Sequence, residues 1–253
     1  MKKSLRVLAV GNSFSDDCME HVYFILKDMG VEEIVLGNLY IGGCPVSKHV
    51  ENLTANIPAY EYRFNNNGVW ENTLGYTAGD AIAQREWDCI FTQQFSGESG
   101  LKETYRQVDE LYALIKRRAK GNPKYGWQMT WAYANNCDHP WYERYGGSQE
   151  RMWQAIQDAV QEFVLTREDV TFLIPSGEAI QKARTVFGET LNRDGYHLTY
   201  TLGRYIAGLC VAGAVTGESV ANVVWAPDGV DEMEKAVAKA VALSALEKWK
   251  INR

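Results

Sequence analysis

Two short stretches of the chain carry residues able to perform acyl transfer. One is GNSFS (11–15), with Ser13 at its centre; the other is DGYH (194–197), with Asp194 and His197 three positions apart beside Gly195. A serine hydroxyl becomes a useful nucleophile only when a neighbouring base takes its proton. A histidine serves as that base when an acceptor orients one ring nitrogen and the hydroxyl meets the other. A DxxH turn can bring both side chains to one edge of a sheet. Taken alone, that spacing more often marks a turn aspartate next to a packing histidine, so its meaning depends on where Ser13 lies.

Ser13 follows an apolar run at 7–10 that reads as a buried strand. A helical pattern starts near Asp16, with Met19, Val22, Tyr23, Leu26 and Met29 at 3–4 spacing, and Gly30 ends it. The serine therefore sits at a strand-to-helix turn, where open α/β sheets place their ligands. Asp16 and Asp17 are expected to cap this helix. In that position they would repel a phosphate, which argues against a nucleotide or flavin cofactor and leaves the serine as the turn's functional feature.

Alternation continues along the chain. Strands are expected at 33–40, 89–93, 125–133 and 170–174; helices at 77–85, 101–115, 152–163, 199–215 and 230–249. Repeated β-α alternation predicts a parallel sheet with helices on both faces, in a single domain spanning 1–253. One segment interrupts it. Residues 59–76 alternate Tyr60, Tyr62 and Phe64, pass an Asn-Gly turn and continue with Val69 and Trp70, which predicts an inserted β-hairpin. Its aromatics serve either a ligand cleft or a flap packed on its own apolar face.

Composition narrows the function. Of the 253 residues, 46% are apolar and 23% charged, an ordinary globular balance that supports a sizeable core. A net charge of −6 disfavours nucleic acid or an anionic membrane as partner. No apolar run approaches the ~18 residues of a membrane span. After Lys2 and Lys3 the apolar run is too short for a signal segment, so a cytoplasmic protein is expected, or a secreted one whose leader was trimmed. The five cysteines (18, 44, 89, 137, 210) are scattered, without CxxC spacing, and no paired-histidine motif exists, so neither a metal nor another cofactor is expected.

Together the motifs resemble the SGNH (GDSL-like) hydrolases. Gly11, Asn12, Ser13, Phe14 and Ser15 match the family's first block, usually GDSLS, with Asn12 in place of the aspartate. NLYIGGCPV (38–46) looks like its second block, and DGYHL its fifth. TQQ (92–94), TWAY (130–133) and DGYHLTYTLGRY are similar to the DUF4886 branch. The resemblance implies a three-layer α/β/α flavodoxin-like fold and a catalytic triad of Ser13, Asp194 and His197. It also implies an oxyanion hole in which the Ser13 and Gly43 amides take part. The family's third block offers an asparagine amide as a further donor, but a simple alignment puts Phe95 there. Gln94 is the expected substitute, with Gln93 and Ser96 as weaker candidates.

The implied activity is hydrolysis of a small acyl ester, commonly acetyl, on a carbohydrate. A non-catalytic flavodoxin-like protein binding a ligand or carbohydrate is the alternative. Trp127, Trp131, Trp141 and Tyr142 could stack on a sugar, although aromatics at a strand end are more often core. His21 is expected on a helix surface or as a cap, and His49 and His139 on surface loops. Cys44 reads as a small packing residue; Asp138 and Glu98 could touch substrate hydroxyls. The sequence does not specify the oligomeric state.

Overall fold

In the computed structural model, which describes residues 3–251, a seven-stranded sheet divides the molecule. Its strands are β1 (Ser4–Gly11), β2 (Glu33–Tyr40), β3 (Tyr60–Asn65), β4 (Glu71–Tyr76), β5 (Cys89–Thr92), β6 (Lys124–Gln128) and β7 (Val170–Ile174). They lie in the order β4-β3-β2-β1-β5-β6-β7, and the five from β2 to β7 are parallel. This is the α/β class that the alternation predicts. β1 is central, and Val7 to Val10 are fully buried because helices cover both faces of the sheet.

One helical layer holds α1 (Ser13–Met19), α2 (Val22–Asp28), α7 (Ser176–Phe187), α8 (Leu202–Thr216) and α9 (Glu232–Lys248). The nearly all-apolar α8 packs among the other four, which explains an apolar stretch without a polar face. The other layer holds α3 (Val46–Ala55), α4 (Ala78–Ala83), α5 (Val108–Arg118) and α6 (Gln149–Phe163). Right-handed crossovers running opposite ways from β1 put the two groups on opposite faces.

Four local expectations change. The hairpin is not a separate flap: β3 pairs antiparallel with β2, and β4 with β3, so it widens the central sheet. Tyr60 and Tyr62 are buried against α3 and α4, where Tyr62 Oη donates to Gln84 and Tyr60 Oη bonds His49. The helix expected over 16–29 begins at Ser13 and breaks at Glu20–His21, where the Trp70 indole donates to the Glu20 carbonyl. The strand expected over 125–133 stops at Gln128. Finally, α3 and α7 fill segments in which no helix is expected.

Candidate active site

β1 delivers Ser13 through a tight turn. A side chain on Gly11 would place its Cβ 2.6 Å from Ser15 Oγ, so glycine is needed there. Extended Asn12 caps α1, its Oδ1 accepting the Phe14 amide at 3.0 Å, and Ser13 becomes the first helical residue, half-exposed. The DGYH turn meets it from the far end of the chain. Ser13 Oγ lies 2.8 Å from His197 Nε2, and His197 Nδ1 lies 2.6 Å from Asp194 Oδ2. Because the carboxylate can only accept, Nδ1 carries the ring proton and the serine hydroxyl donates to Nε2. Asp194 Oδ1 also accepts the His197 and Tyr196 amides at 2.7 and 3.2 Å. Partial burial raises the Asp194 pKa, but the hydrogen bonds from His197 and Tyr196 outweigh it and hold the carboxyl below its ordinary range.

The acidic pair plays a different part from the expected cap. Asp17 is fully buried; Oδ2 accepts the Leu198 amide at 2.7 Å, while Oδ1 accepts Arg204 Nε at 2.8 Å and Arg193 Nη1 at 3.0 Å. It thus ties the helix bearing Ser13 to the loop bearing His197. Asp16 pairs with Arg63 on β3. Asn12 is the cap, so the carboxylates lie along the helix and not at its tip.

The second family block forms a turn beside Ser13. Cys44 N donates to Ile41 O at 3.2 Å, with Gly42 and Gly43 between, and Gly43 has a φ of +60° that favours glycine. Among the described residues, the Ser13 and Gly43 amides donate to no other group. Gln94 does not join them. Its Oε1 accepts the Val46 and Phe95 amides at 2.9 and 2.8 Å, and its Nε2 donates to Thr104 O and Oγ1 at 3.1 and 3.0 Å. Both amide ends are committed to scaffold, which corrects the expectation of a side-chain donor at 94. Both weaker candidates have other partners: Gln93 Nε2 donates one hydrogen to Asn12 Oδ1 at 2.6 Å, and Ser96 Oγ pairs with Tyr133 Oη at 2.9 Å. Phe95 instead lies 3.6 Å from where a Cβ on Gly43 would stand.

An aromatic rim continues from Phe95. Its ring meets Trp141 edge-on at 5.6 Å; His139 meets Tyr196 edge-on at 4.8 Å, and Tyr196 covers His197 at 4.2 Å. Trp141 is half-buried, whereas Trp127, Trp131 and Tyr142 are core and offer no face to a sugar. His139 belongs to this rim and not to an open loop; burial and nearby His197 lower its pKa. His49 is likewise not a surface residue. It lies buried in α3, its Nδ1 2.9 Å from Tyr60 Oη, and desolvation pushes its pKa down to about 3. His21 stands at the start of α2, 2.8 Å from the Tyr200 carbonyl. Cys44 is buried, and desolvation pushes its thiol up to about 12, as suits a packing residue. Asp138 is exposed and Glu98 half-buried. The docking of the His197 loop by Asp17 and the Tyr196–His139 contact have no counterpart among the sequence expectations. The dipeptide before the histidine, GY, carries the one local signal for Tyr196.

A cavity of about 390 Å³ lies far from this site, between β7 and the ends of α8 and α9, with Lys124, Phe172, Gly217 and Trp249 on its walls. No group of three or more potential metal ligands occurs among the described residues. Nor, among them, is any helix long and apolar enough to cross a membrane.

The sheet order and its two flanking helical layers match the fold of solved SGNH hydrolases. A structure of a protein assigned as an SGNH hydrolase from Slackia heliotrinireducens matches with a TM-score of 0.52 at 16% identity, covering 83% of this chain and 98% of that one. A catalytic mutant of an acetylxylan esterase from Geobacillus stearothermophilus matches with a TM-score of 0.50 at 12% identity, over 89% and 96% of the two chains. At those identities the likeness is one of fold. Within it, the chain belongs to the DUF4886 family, a domain of unknown function whose model matches residues 6–245. The crystal structure of a DUF4886 family protein from Bacteroides uniformis matches with a TM-score of 0.92 and 37% identity, covering 98% of this chain and 97% of that one. No curated protein matches the chain in sequence.

Proposed function

We propose that the protein is a serine esterase that removes a small acyl group, acetyl, from a carbohydrate ester through an acyl-enzyme on Ser13. The observation that carries the reading is the continuous chain from Ser13 Oγ to His197 (2.8 Å) to Asp194 (2.6 Å), beside the Ser13 and Gly43 amides, which have no acceptor among the described residues. In this mechanism Ser13 Oγ attacks the ester carbonyl carbon as its proton passes to His197 Nε2. Asp194 holds the tautomer and stabilises the imidazolium. The Ser13 and Gly43 amides receive the tetrahedral oxyanion. When the C–O bond breaks, His197 returns the proton to the leaving alcohol. Water then attacks the acyl-enzyme, its proton taken by His197, and the acid departs as Ser13 recovers its hydrogen.

Proton transfer through a positioned base contributes roughly 10²–10⁴-fold, and each oxyanion donor ~3 kcal/mol. Two features support the small acyl group and the sugar. Phe95, close against Gly43, narrows the space next to that amide. The Trp141–His139–Tyr196 rim lies beyond, a mix of apolar rings and polar edges that suits a sugar alcohol. The fold shared with an acetylxylan esterase agrees with this.

The test compares wild type and Ser13→Ala on p-nitrophenyl acetate, butyrate and octanoate, then on acetylated xylo- and cello-oligosaccharides. The proposal expects turnover that falls with acyl length and vanishes in the alanine variant. Turnover untouched by that substitution, or none on any ester, would point to ligand binding on the same fold.

A further inference from the structure

We infer that three side-chain amides, Asn12, Gln93 and Gln94, are positioning residues that build the oxyanion hole without entering it. The inference rests on the reading of Ser13 as nucleophile and concerns how the Gly43 amide is aimed.

The Gly43 turn is anchored on both sides by residues adjoining the nucleophile. Upstream, Ile41 N donates to Gly11 O at 3.3 Å, extending the pairing of β2 with β1. Downstream, Asn12 Nδ2 donates to Cys44 O at 3.1 Å, and Gln94 Oε1 accepts the Val46 amide at 2.9 Å. The orientation of each amide follows from the next. Cys44 O requires a donor, so Asn12 presents its NH₂ there and its oxygen to Phe14 N. That oxygen then receives Gln93 Nε2 at 2.6 Å. Gln94, held by Thr104, presents its oxygen to two backbone amides at once. All three side chains are buried, so water cannot take over these bonds.

The pattern accounts for two departures from the family blocks together. An aspartate at 12 could accept from Phe14 and Gln93 but could not donate to Cys44 O, and its charge would lie near a developing oxyanion. An amide makes all three bonds and stays neutral. With Phe95 in the customary donor position, the hole depends on two backbone N–H groups, and the glutamine pair after β5 fixes their geometry.

Asn12→Asp and Gln94→Met test this beside wild type. On p-nitrophenyl acetate, kcat should fall about 10²-fold, as a shift of order 1 Å in a catalytic group does, with KM within about threefold. Affinity for methylboronic acid, which adds to the serine as a tetrahedral anion, should fall in step. Backbone exchange at Val46 should quicken in Gln94→Met.

If Asn12→Asp does not fold, Gln94→Met decides. Near-wild-type kcat, or a lower melting temperature with unchanged boronate affinity, overturns the inference, since a merely structural role would give that result. An absence of Ser13-dependent turnover in wild type is a different failure: it removes the esterase reading, and unchanged Val46 exchange would then remove the scaffold as well.

Discussion

The loop carrying Asp194 and His197 is docked by charge, with buried Asp17 accepting from Leu198 N, Arg193 and Arg204. The turn carrying Gly43 is docked by neutral amides, through Asn12 and Gln94. Both loops meet at Ser13, but in the proposed acyl transfer they face opposite charges. The His197 side must accommodate an imidazolium, and carboxylates are placed along it. The Gly43 side must accommodate an oxyanion, and there the contacts come from uncharged groups. A buried ion pair fixes a loop at a desolvation cost. Neutral amides fix one without adding a field to the reacting centre.

The largest effects should come from the charged side. His197→Ala should lower kcat on p-nitrophenyl acetate by roughly 10⁶-fold if the triad acts as a unit. Asp194→Asn should cost about 10⁴-fold while leaving the circular dichroism spectrum unchanged, because the imidazole loses its tautomer and not its place. Full activity in that variant would remove Asp194 from the site.

Asp17→Ala sharpens the contrast between the loops. It leaves Arg193 and Arg204 short of a buried partner, so urea denaturation should show a loss of about 3 kcal/mol, the lower end for broken buried pairs. Arg204 keeps Glu20 and Asp16, which limits the loss. Activity should fall with stability here, whereas amide substitutions at the Gly43 turn should move activity more. Equal stability losses at both loops would erase the distinction.

The smallest effect concerns pH behind the neutral turn. His49 is kept uncharged by burial, with its pKa pushed down to about 3, whereas an unfolded histidine titrates near ~6.5. Between those values the unfolded chain binds the additional proton. The His49 contribution is therefore complete above the unfolded pKa and declines as pH falls, by up to ~1.4 kcal/mol per pH unit. Urea midpoints between pH 7 and 5 should slope less steeply in His49→Gln than in wild type; parallel slopes would show that His49 is not the group titrating.

The sequence announces the features whose cause is local. Val7–Val10 reads as a strand because both its faces are apolar, and α8 reads as a helix because it is buried on nearly every side. The DGYH turn is legible because its aspartate and histidine are three residues apart and bond each other directly. Features made by distant partners are not. Nothing near Asp17 indicates that its partners lie beyond residue 190, so it passes for a cap. The break after Met19 has no Gly or Pro to mark it, since the indole that takes the Glu20 carbonyl comes from Trp70. In α7, Glu178 and Arg184 are buried among the apolar positions and blur the helical stripe. Gln94 shows a further limit: an amide side chain announces that it can donate, but not toward what.

The central claim is that Ser13 is a nucleophile activated by His197. The most direct measurement is an acid quench of the protein during p-nitrophenyl acetate turnover, followed by peptide mass mapping. The account predicts one acetyl group on the peptide bearing Ser13, formed at burst-phase rates in wild type and lost in His197→Ala. Turnover with Ser13 unmodified, or with the acetyl group on another residue, would contradict it.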